Sequence, residues 1–499
     1  MTAGRRFSAA CEAVPGPTSV ANIRPKTLAP SGKASENRNS ATINSPMPNK
    51  PELFGTDGIR GVAGQYPLDQ ATVRRIGSAL GAVLKEAAGL PRVVVGKDTR
   101  ESSEWISLAL ASGLAAAGTQ VVDAGVITTP GVAFLTRHHG FSAGVVVSAS
   151  HNPYKDNGIK ILSSGGTKFA EAEELEIERR LATLPELPPA PESAVQFSPG
   201  LVHDYVEYLA SLVPAGLPVA QYRVVVDCAH GAASRVAPLL LDRLGMTAHT
   251  LNMEPNGRNI NLRCGSLHPE SMAEATKALG ADLGVALDGD ADRAIFSTPD
   301  GRLADGDHVL YAMAPFLDRH GNLKGRAVVG TLMTNLALEL ALARQGIGLR
   351  RTAVGDKFVL EEMLRSGISL GGEPSGHIIF ADLSLAGDGL ITLLEVLRLL
   401  AETGEPLGSL LQGLKPFPQL IRNVRVREKP PLESIPGIAR AIEQCQGELG
   451  ERGRVVVRYS GTEPLARVMV EAEEAEAVRN HTARIAGAID SALGLRVGP

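Results

Sequence analysis

From residue 68 the apolar positions take on a helical period, with Val73, Ile76, Leu80, Val83 and Leu84 at i, i+3 and i+4 spacing. Asp69 can cap the start of that helix and Gly89 can end it. The pattern then predicts a strand at Val93 to Val95, a helix from about Ser102 to Ala117 stopped by Gly118, and strands around Val121 and at Ala143 to Val147. Strands that alternate with helices and are apolar on both faces imply a covered, largely parallel sheet.

The Pro-rich stretch LPELPPAPESAVQFSPG at 184–200 reads as a connection between domains. A second α/β unit follows, with strands at Arg223 to Val226 and Leu283 to Leu287. A third starts near Asp305, with a strand at Ala327 to Val329 and a long apolar helix at Leu390 to Leu400. The three units look like loose internal repeats. After KPFPQ at 415–419 the pattern changes to alternation, as at Val424, Val426, 455–457 and 468–470, so a smaller α+β domain is expected to close the chain. The expected domains span 47–197, 198–304, 305–417 and 418–499.

Composition narrows the class. A chain of 499 residues is long enough for about three to five domains. Hydrophobic residues at 44% and charged residues at 21% are globular proportions. A net charge of −4 with 4% aromatic residues and a single Trp (Trp105) speaks against nucleic-acid binding. Cys11, Cys228, Cys264 and Cys445 lie far apart, which argues against a zinc cluster or disulfide framework and fits a reducing compartment. No apolar run approaches a membrane span, so a soluble, cytoplasmic protein with a small-molecule partner is expected.

Residues 1–46 differ from the rest. Arg5, Arg6, Arg24, Lys26, Lys33 and Arg38 face only Glu12 and Glu36, among scattered Ser, Asn and Pro. Such a segment cannot build a core and is expected to be disordered. Its basic composition also fits a transit peptide; lacking an amphipathic face, it reads rather as a non-native or mispredicted extension before Met47.

Five stretches carry candidate chemistry. The strand at Ala143 to Val147 ends in SASHNPYKDNGIK (148–160), where Ser150 beside His151 and Lys160 can be an activated nucleophile or an ordinary Asn-Pro turn. DGDADR (288–293) places Asp288, Asp290 and Asp292 directly after an apolar strand. Three crowded carboxylates are tolerable mainly when a divalent cation such as Mg²⁺ neutralises them. GGEPSGH (371–377) offers Glu373, Ser375 and His377 for sugar hydroxyls, although a lone His is more often structural. RYSGTEPLAR (458–467) brings Arg458, Ser460, Gly461 and Thr462 to a loop suited to a phosphate dianion. FGTDGIRG (54–61) adds Arg60 as a further anion contact. A nucleophile, a metal triplet, a hydroxyl loop and a phosphate loop together describe phosphoryl transfer on a phosphosugar.

With these motifs and CGSLHPE (264–270) in order from about Leu53 to Glu471, the sequence resembles the α-D-phosphohexomutases, most closely the bacterial branch acting on glucosamine phosphates. The resemblance implies four domains around a central cleft, three related α/β domains and a smaller α+β one. It implies that Ser150 is a phosphoserine and that Asp288, Asp290 and Asp292 bind Mg²⁺ with a phosphoserine oxygen. Arg293 would sit beside them, and Lys160 and Arg60 would flank the reacting phosphate. Glu373 and Ser375 would take sugar hydroxyls, His377 would lie near the reacting end, and Arg458, Ser460, Gly461 and Thr462 would hold the distal phosphate. The implied reaction interconverts glucosamine 6- and 1-phosphates through a 1,6-bisphosphate, supplying UDP-N-acetylglucosamine synthesis. A kinase or sugar bisphosphate would prime Ser150, and a hinge near Pro416 to Pro418 would open the cleft. The competing expectations are action on mannose or glucose phosphates, a Mg²⁺-dependent sugar phosphatase, and a sensor that binds without turnover. Pro374 and Tyr459 depart from the family pattern without removing a reactive group.

Overall fold

Four apolar-to-polar transitions in the sequence become four loops, each joining two adjacent antiparallel strands of its own sheet. The computed structural model describes residues 51–184, 195–460 and 463–495. The extension 1–46 and the greater part of the Pro-rich connection lie outside the described residues.

The first sheet comprises β1 (Phe54–Gly55), β2 (Gly58–Val62), β3 (Arg92–Lys97), β4 (Gln120–Val126), β5 (Ala143–Val147), β6 (Asp156–Ser163) and β7 (Val195–Phe197), in the order β1-β2-β6-β5-β3-β4-β7. Strands β3, β4, β5 and β7 are parallel, as the pattern implies, but β6, β2 and β1 pair antiparallel. The sheet is therefore mixed. The chain turns back after β5 without a crossover helix, and the loop 148–155 fills that turn.

The second sheet repeats the plan with β8 (Val224–Asp227), β9 (Ala248–Leu251), β10 (Leu283–Leu287), β11 (Ala294–Ser297) and β12 (Leu303–Ala304). Strand β8 lies parallel to β9 and β10, and β10 pairs antiparallel with β11 around the loop 288–293. The third has β13 (Ala327–Thr331), β14 (Gly348–Thr352), β15 (Leu370–Gly372) and β16 (Ile378–Phe380), with β15 and β16 antiparallel around 373–377. The loose repeat thus has a structural counterpart: three sheets each place one chemistry-bearing loop at the same parallel-to-antiparallel junction. In the all-antiparallel fourth sheet, β17 (Gln419–Arg425), β18 (Gly453–Tyr459) and β19 (Leu465–Ala472) run in the order β17-β19-β18, and the phosphate motif joins β18 to β19.

Local signals hold where they were strongest. The helix Gln70–Ala88 is capped by the Asp69 carboxylate, which accepts the Thr72 N–H at 2.9 Å, and ends at Gly89 with φ 72°. The long apolar helix, Gly389–Thr403, is buried along nearly its whole length and joins a core continuous between the second and third sheets. Near the expected hinge, Phe417 is tied to the third sheet's side of the molecule. The Asn335 amide donates to the Phe417 carbonyl and accepts its N–H, each at 3.0 Å. Arg454 and Glu471 of the fourth sheet grip the same loop: Arg454 donates to the carbonyls of Leu332 and Thr334, and Glu471 accepts the Leu336 N–H. All described residues fall in one compact unit.

Candidate active site

Ser150 sits at the turn after β5, fully buried, with φ 51°. A non-glycine residue in that region persists only when its surroundings over-determine it. Its Oγ donates to Asp288 Oδ2 at 2.5 Å and lies 3.2 Å from His151 Nδ1. Two sheets therefore meet at one hydroxyl. The contact is close enough to demand glycine at 289, where a Cβ would stand 2.6 Å from the Ser150 carbonyl oxygen.

Asp288, Asp290 and Asp292 are buried, and one carboxylate oxygen from each lies within 4.8 Å of the others. Burial, reinforced by Asp292 and Asp290, pushes the Asp288 carboxyl well above the usual range. Burial also opposes ionisation of Asp292, but Lys160, His377 and Arg293 outweigh it and hold that carboxyl low. Asp290 Oδ1 and Asp292 Oδ1 are buried with no hydrogen-bond partner. Hard oxygen donors left unpaired at one point fit a divalent cation.

Cations surround this cluster. Lys160, on β6 and fully buried, reaches Asp290 at 2.8 Å, Asp57 at 3.1 Å and Asp292 at 3.5 Å. Burial works against its charge, yet Asp290, Asp57 and Asp292 raise its pKa well above normal, so Lys160 is a fixed cation. Arg60 pairs with Asp57 and donates to Asn152 Oδ1 at 3.3 Å. The Arg293 backbone N–H donates to Asp288, and its side chain faces the cleft beside Asp292. His151 has its pKa lowered to about 4 by burial and by Arg293 and Arg60, leaving it neutral at pH 7.

The loop between β15 and β16 completes one wall. Glu373 is buried and accepts the Gly355 N–H at 3.1 Å. His377 lies 3.8 Å from both Asp292 and Asp356; burial opposes its charge, but Asp292, Asp356 and Glu373 raise its pKa. Ser375 is exposed at the loop tip. Gly376 has φ 90°, and a Cβ there would stand 2.4 Å from the Ala294 carbonyl oxygen, so the sugar motif docks directly on the start of β11. The resulting cleft of 570 Å³ is lined by Arg60, His151, Asp292, Arg293, Glu373 and His377 among others.

The structure thus brings together Ser150, His151, Lys160, Arg60, the three aspartates, Arg293, Glu373 and His377. Arg458 and Ser460 lie apart on the fourth sheet, and Gly461 and Thr462 lie outside the described residues. Arg458 stands opposite Arg467 across the β18–β19 pair, and Arg467 reaches Ser460 Oγ at 3.5 Å. Burial and Arg467 lower the Arg458 pKa, as expected for two guanidiniums that an anion would relieve.

Sequence reasoning missed four participants. Asp57, inside FGTDGIRG, collects Arg60, Lys160 and Lys168 on one carboxylate. Thr129 donates from its hydroxyl to Asp290 at 2.5 Å and from its backbone to the Asp290 carbonyl. Thr-Thr-Pro at 128–130 is a legible helix start, but its partner across the sheets is not. Arg467 closes the quoted phosphate motif and could have been found by pairing its strands. Arg100 has no local signature.

Known proteins show the same plan. Family models for the phosphoglucomutase/phosphomannomutase α/β/α domains I, II and III match residues 51–187, 203–301 and 305–417, and that for the C-terminal domain matches 422–488. The phosphoglucosamine mutase of Koribacter versatilis is 52% identical over 464 residues, covering 90% of this chain and 99% of that protein. That of Solibacter usitatus is 49% identical over 444 residues, covering 89% and 99%. Among solved structures, a phosphoglucomutase/phosphomannomutase family protein from Burkholderia thailandensis aligns with a TM-score of 0.72 at 25% identity, over 88% of this chain and 97% of that one. The Aspergillus fumigatus N-acetylphosphoglucosamine mutase, solved with GlcNAc-6P and magnesium, shares the fold at a TM-score of 0.63 and 20% identity, over 90% and 97% of the two chains.

Proposed function

The chain belongs to the phosphoglucomutase/phosphomannomutase family, the α-D-phosphohexomutases, and from that premise we infer that it interconverts glucosamine 6-phosphate and glucosamine 1-phosphate. The observation that carries this reading is the buried Ser150 hydroxyl, held 2.5 Å from Asp288 and 3.2 Å from His151, which lines a cleft together with Arg60 and Arg293.

Phosphoryl transfer asks mainly for positioning and charge stabilisation. In the forward direction phospho-Ser150 gives its phosphoryl group to O1 of glucosamine 6-phosphate, forming the 1,6-bisphosphate and freeing the serine oxygen. The bisphosphate turns over, and Ser150 recovers the phosphoryl group from O6, releasing glucosamine 1-phosphate. Asp288, Asp290 and Asp292 would hold Mg²⁺, which when bound supplies positive charge against the phosphoryl oxygens. Lys160 and Arg60 flank the transferring group with positive charge, that of Lys160 held in place by its buried carboxylate neighbours. Neutral His151 is the group beside Ser150 Oγ able to accept or return a proton as the roles of hydroxyl and ester exchange. Glu373 and Ser375 orient the sugar hydroxyls, with His377 at the reacting end. Arg458, Ser460, Gly461 and Thr462, now joined by Arg467, anchor the phosphate that is not reacting.

In this reading the work divides among the four units expected from the sequence, and the protein acts in the cytoplasm on soluble phosphosugars. None of its described helices is long and apolar enough to cross a membrane. Ser150 is first charged by a kinase or by a sugar bisphosphate. The test is a coupled assay for glucosamine 1-phosphate with purified protein and Mg²⁺, run beside mannose and glucose 6-phosphates. Dominant turnover of either other sugar would move the assignment within the family, and release of inorganic phosphate without isomerisation would favour a phosphatase.

A further inference from the structure

We propose that Arg100 is the positioning residue that holds the nucleophile loop in its reactive shape, an inference that rests on the phosphoserine reading of Ser150. The Arg100 side chain is fully buried just beyond the end of β3, in the segment Lys97 to Glu101. A guanidinium carries five N–H donors in a rigid plane. Here all five are used. Nε donates to Asp98 Oδ2 at 2.7 Å. One terminal nitrogen donates to the carbonyls of Pro153 at 2.5 Å and Asp156 at 3.0 Å, and the other to those of Ser150 at 2.8 Å and Asn152 at 2.9 Å. Three of the four carbonyls turned onto this one side chain belong to the loop 148–155 that carries the nucleophile, and the fourth, that of Asp156, opens β6.

The grip is doubled. Asp98, besides orienting Arg100, accepts the Ser148 hydroxyl at 2.7 Å, and Ser148 Oγ in turn accepts the Ser150 N–H at 3.0 Å. Ser150 is thus held at its carbonyl by Arg100 and at its N–H through Ser148 by Asp98. That bracket accounts for how φ 51° is sustained at a non-glycine residue. The same segment carries the second sheet's loops. Thr99 donates to the His230 carbonyl at 2.6 Å, the Glu101 N–H donates to the Gly257 carbonyl, and Arg258 pairs with Glu101 at 2.6 Å. Asn261 from the second sheet's side then donates to the carbonyls of Ser150 at 2.8 Å and Asn152 at 3.2 Å, two of those Arg100 holds. The nucleophile loop and the second sheet's loops at His230 and Gly257–Asn261 are consequently registered on one segment, and Arg100 is its member that touches the nucleophile's backbone. It is not expected to touch substrate.

The experiment uses the full chain with Mg²⁺ and compares Arg100→Lys and Ser148→Ala with wild type. Lysine keeps the charge but gathers its three donors on one nitrogen, so it cannot span four carbonyls. Displacement of the nucleophile by roughly 1 Å predicts a kcat loss of about 100-fold in Arg100→Lys. KM for glucosamine 6-phosphate should stay within about twofold, because the groups assigned to bind it lie on other sheets. Ser148→Ala, which removes one neutral link without stranding a charge, should lose about five- to tenfold in kcat. In both variants amide exchange should quicken in residues 149–156 while the strands stay protected. A folded Arg100→Lys with kcat within about twofold of wild type would overturn the proposal. So would losses shared by kcat and KM with protection lost throughout the molecule, which mark a general structural role. If Arg100→Lys does not fold, Ser148→Ala decides by the same criteria. If wild type itself fails to turn over glucosamine 6-phosphate, the functional reading falls, and unchanged exchange in 149–156 would separately overturn the role of Arg100.

Discussion

Ser150 and the loop after β18, the proposed nucleophile and the proposed anchor of the distal phosphate, both belong to turns between antiparallel strands, yet they are built in opposite ways. Ser150 is fully buried, bracketed at its N–H, carbonyl and hydroxyl, and enclosed by charges already paired with one another. The loop after β18 is flanked by two guanidiniums, Arg458 on β18 and Arg467 on β19, and Arg467 pairs with the exposed Glu463. The difference follows from what each must do. A reacting centre gains from groups fixed before substrate arrives, since no reorganisation is then required during transfer. A loop that in the proposed reaction accepts the 6-phosphate in one half-reaction and the 1-phosphate in the other gains from charge without a rigid cage.

The sharpest way to break this contrast is Ser150→Ala, expected to abolish isomerisation and to carry no phosphate by intact mass. A fully active variant, or active wild type with no phosphate on Ser150, would remove the centre from the fixed side of the comparison. Next in size is Asp290→Asn. It weakens a cation site and unbalances Lys160 and Thr129, which both point at Asp290 Oδ2, so kcat should fall by orders of magnitude with the fold retained by circular dichroism. Near-normal turnover in excess chelator would contradict the metal assignment.

On the adaptable side, Arg458→Ala removes one charge-assisted contact, about 1.5 to 3 kcal/mol, or one to two decades in affinity for glucosamine 6-phosphate. More bisphosphate should escape per turnover, while Ser150 phosphorylation persists because it depends on the other sheets. Unchanged affinity and unchanged bisphosphate release would reduce the loop to a structural turn.

The smallest effect sits where the fourth sheet meets the third. Asp307 is buried, its Oδ2 accepting the Asn335 N–H at 2.8 Å while Oδ1 has no partner. Burial, with Asp305 nearby, raises its pKa to about 8. The folded state therefore keeps a proton that the unfolded chain releases in the ordinary carboxylate range, so this group's contribution to stability falls as pH rises toward about 8 and then levels. Asp307→Asn keeps an acceptor for Asn335 without the titration. Relative to it, wild type should lose a few degrees of melting temperature between pH 5 and pH 8, and parallel melting curves across that range would refute the assignment.

What the sequence determined by itself is local. Periods of 3.6 and 2 placed the helix Gln70–Ala88 and the strands β5 and β10, and abrupt polar runs after apolar strands marked Ser150 and the three aspartates as chemistry. These signals are readable because backbone geometry and burial act over a few neighbouring residues. The antiparallel return after β5, β10 and β15 was not readable, since an apolar strand looks alike whichever way its neighbour runs. Tertiary structure alone decided that Ser150 meets Asp288 from another sheet, that Asp57 gathers three cations, and that Thr129 reaches Asp290. Arg100 is the clearest case. In the sequence it is one arginine among many, and its five donors acquire meaning only when the chain's return places four carbonyls around a side chain that has left water. Partners so far apart in sequence are chosen by packing and by the requirement that buried polar groups be satisfied, and neither is written in any short window of residues.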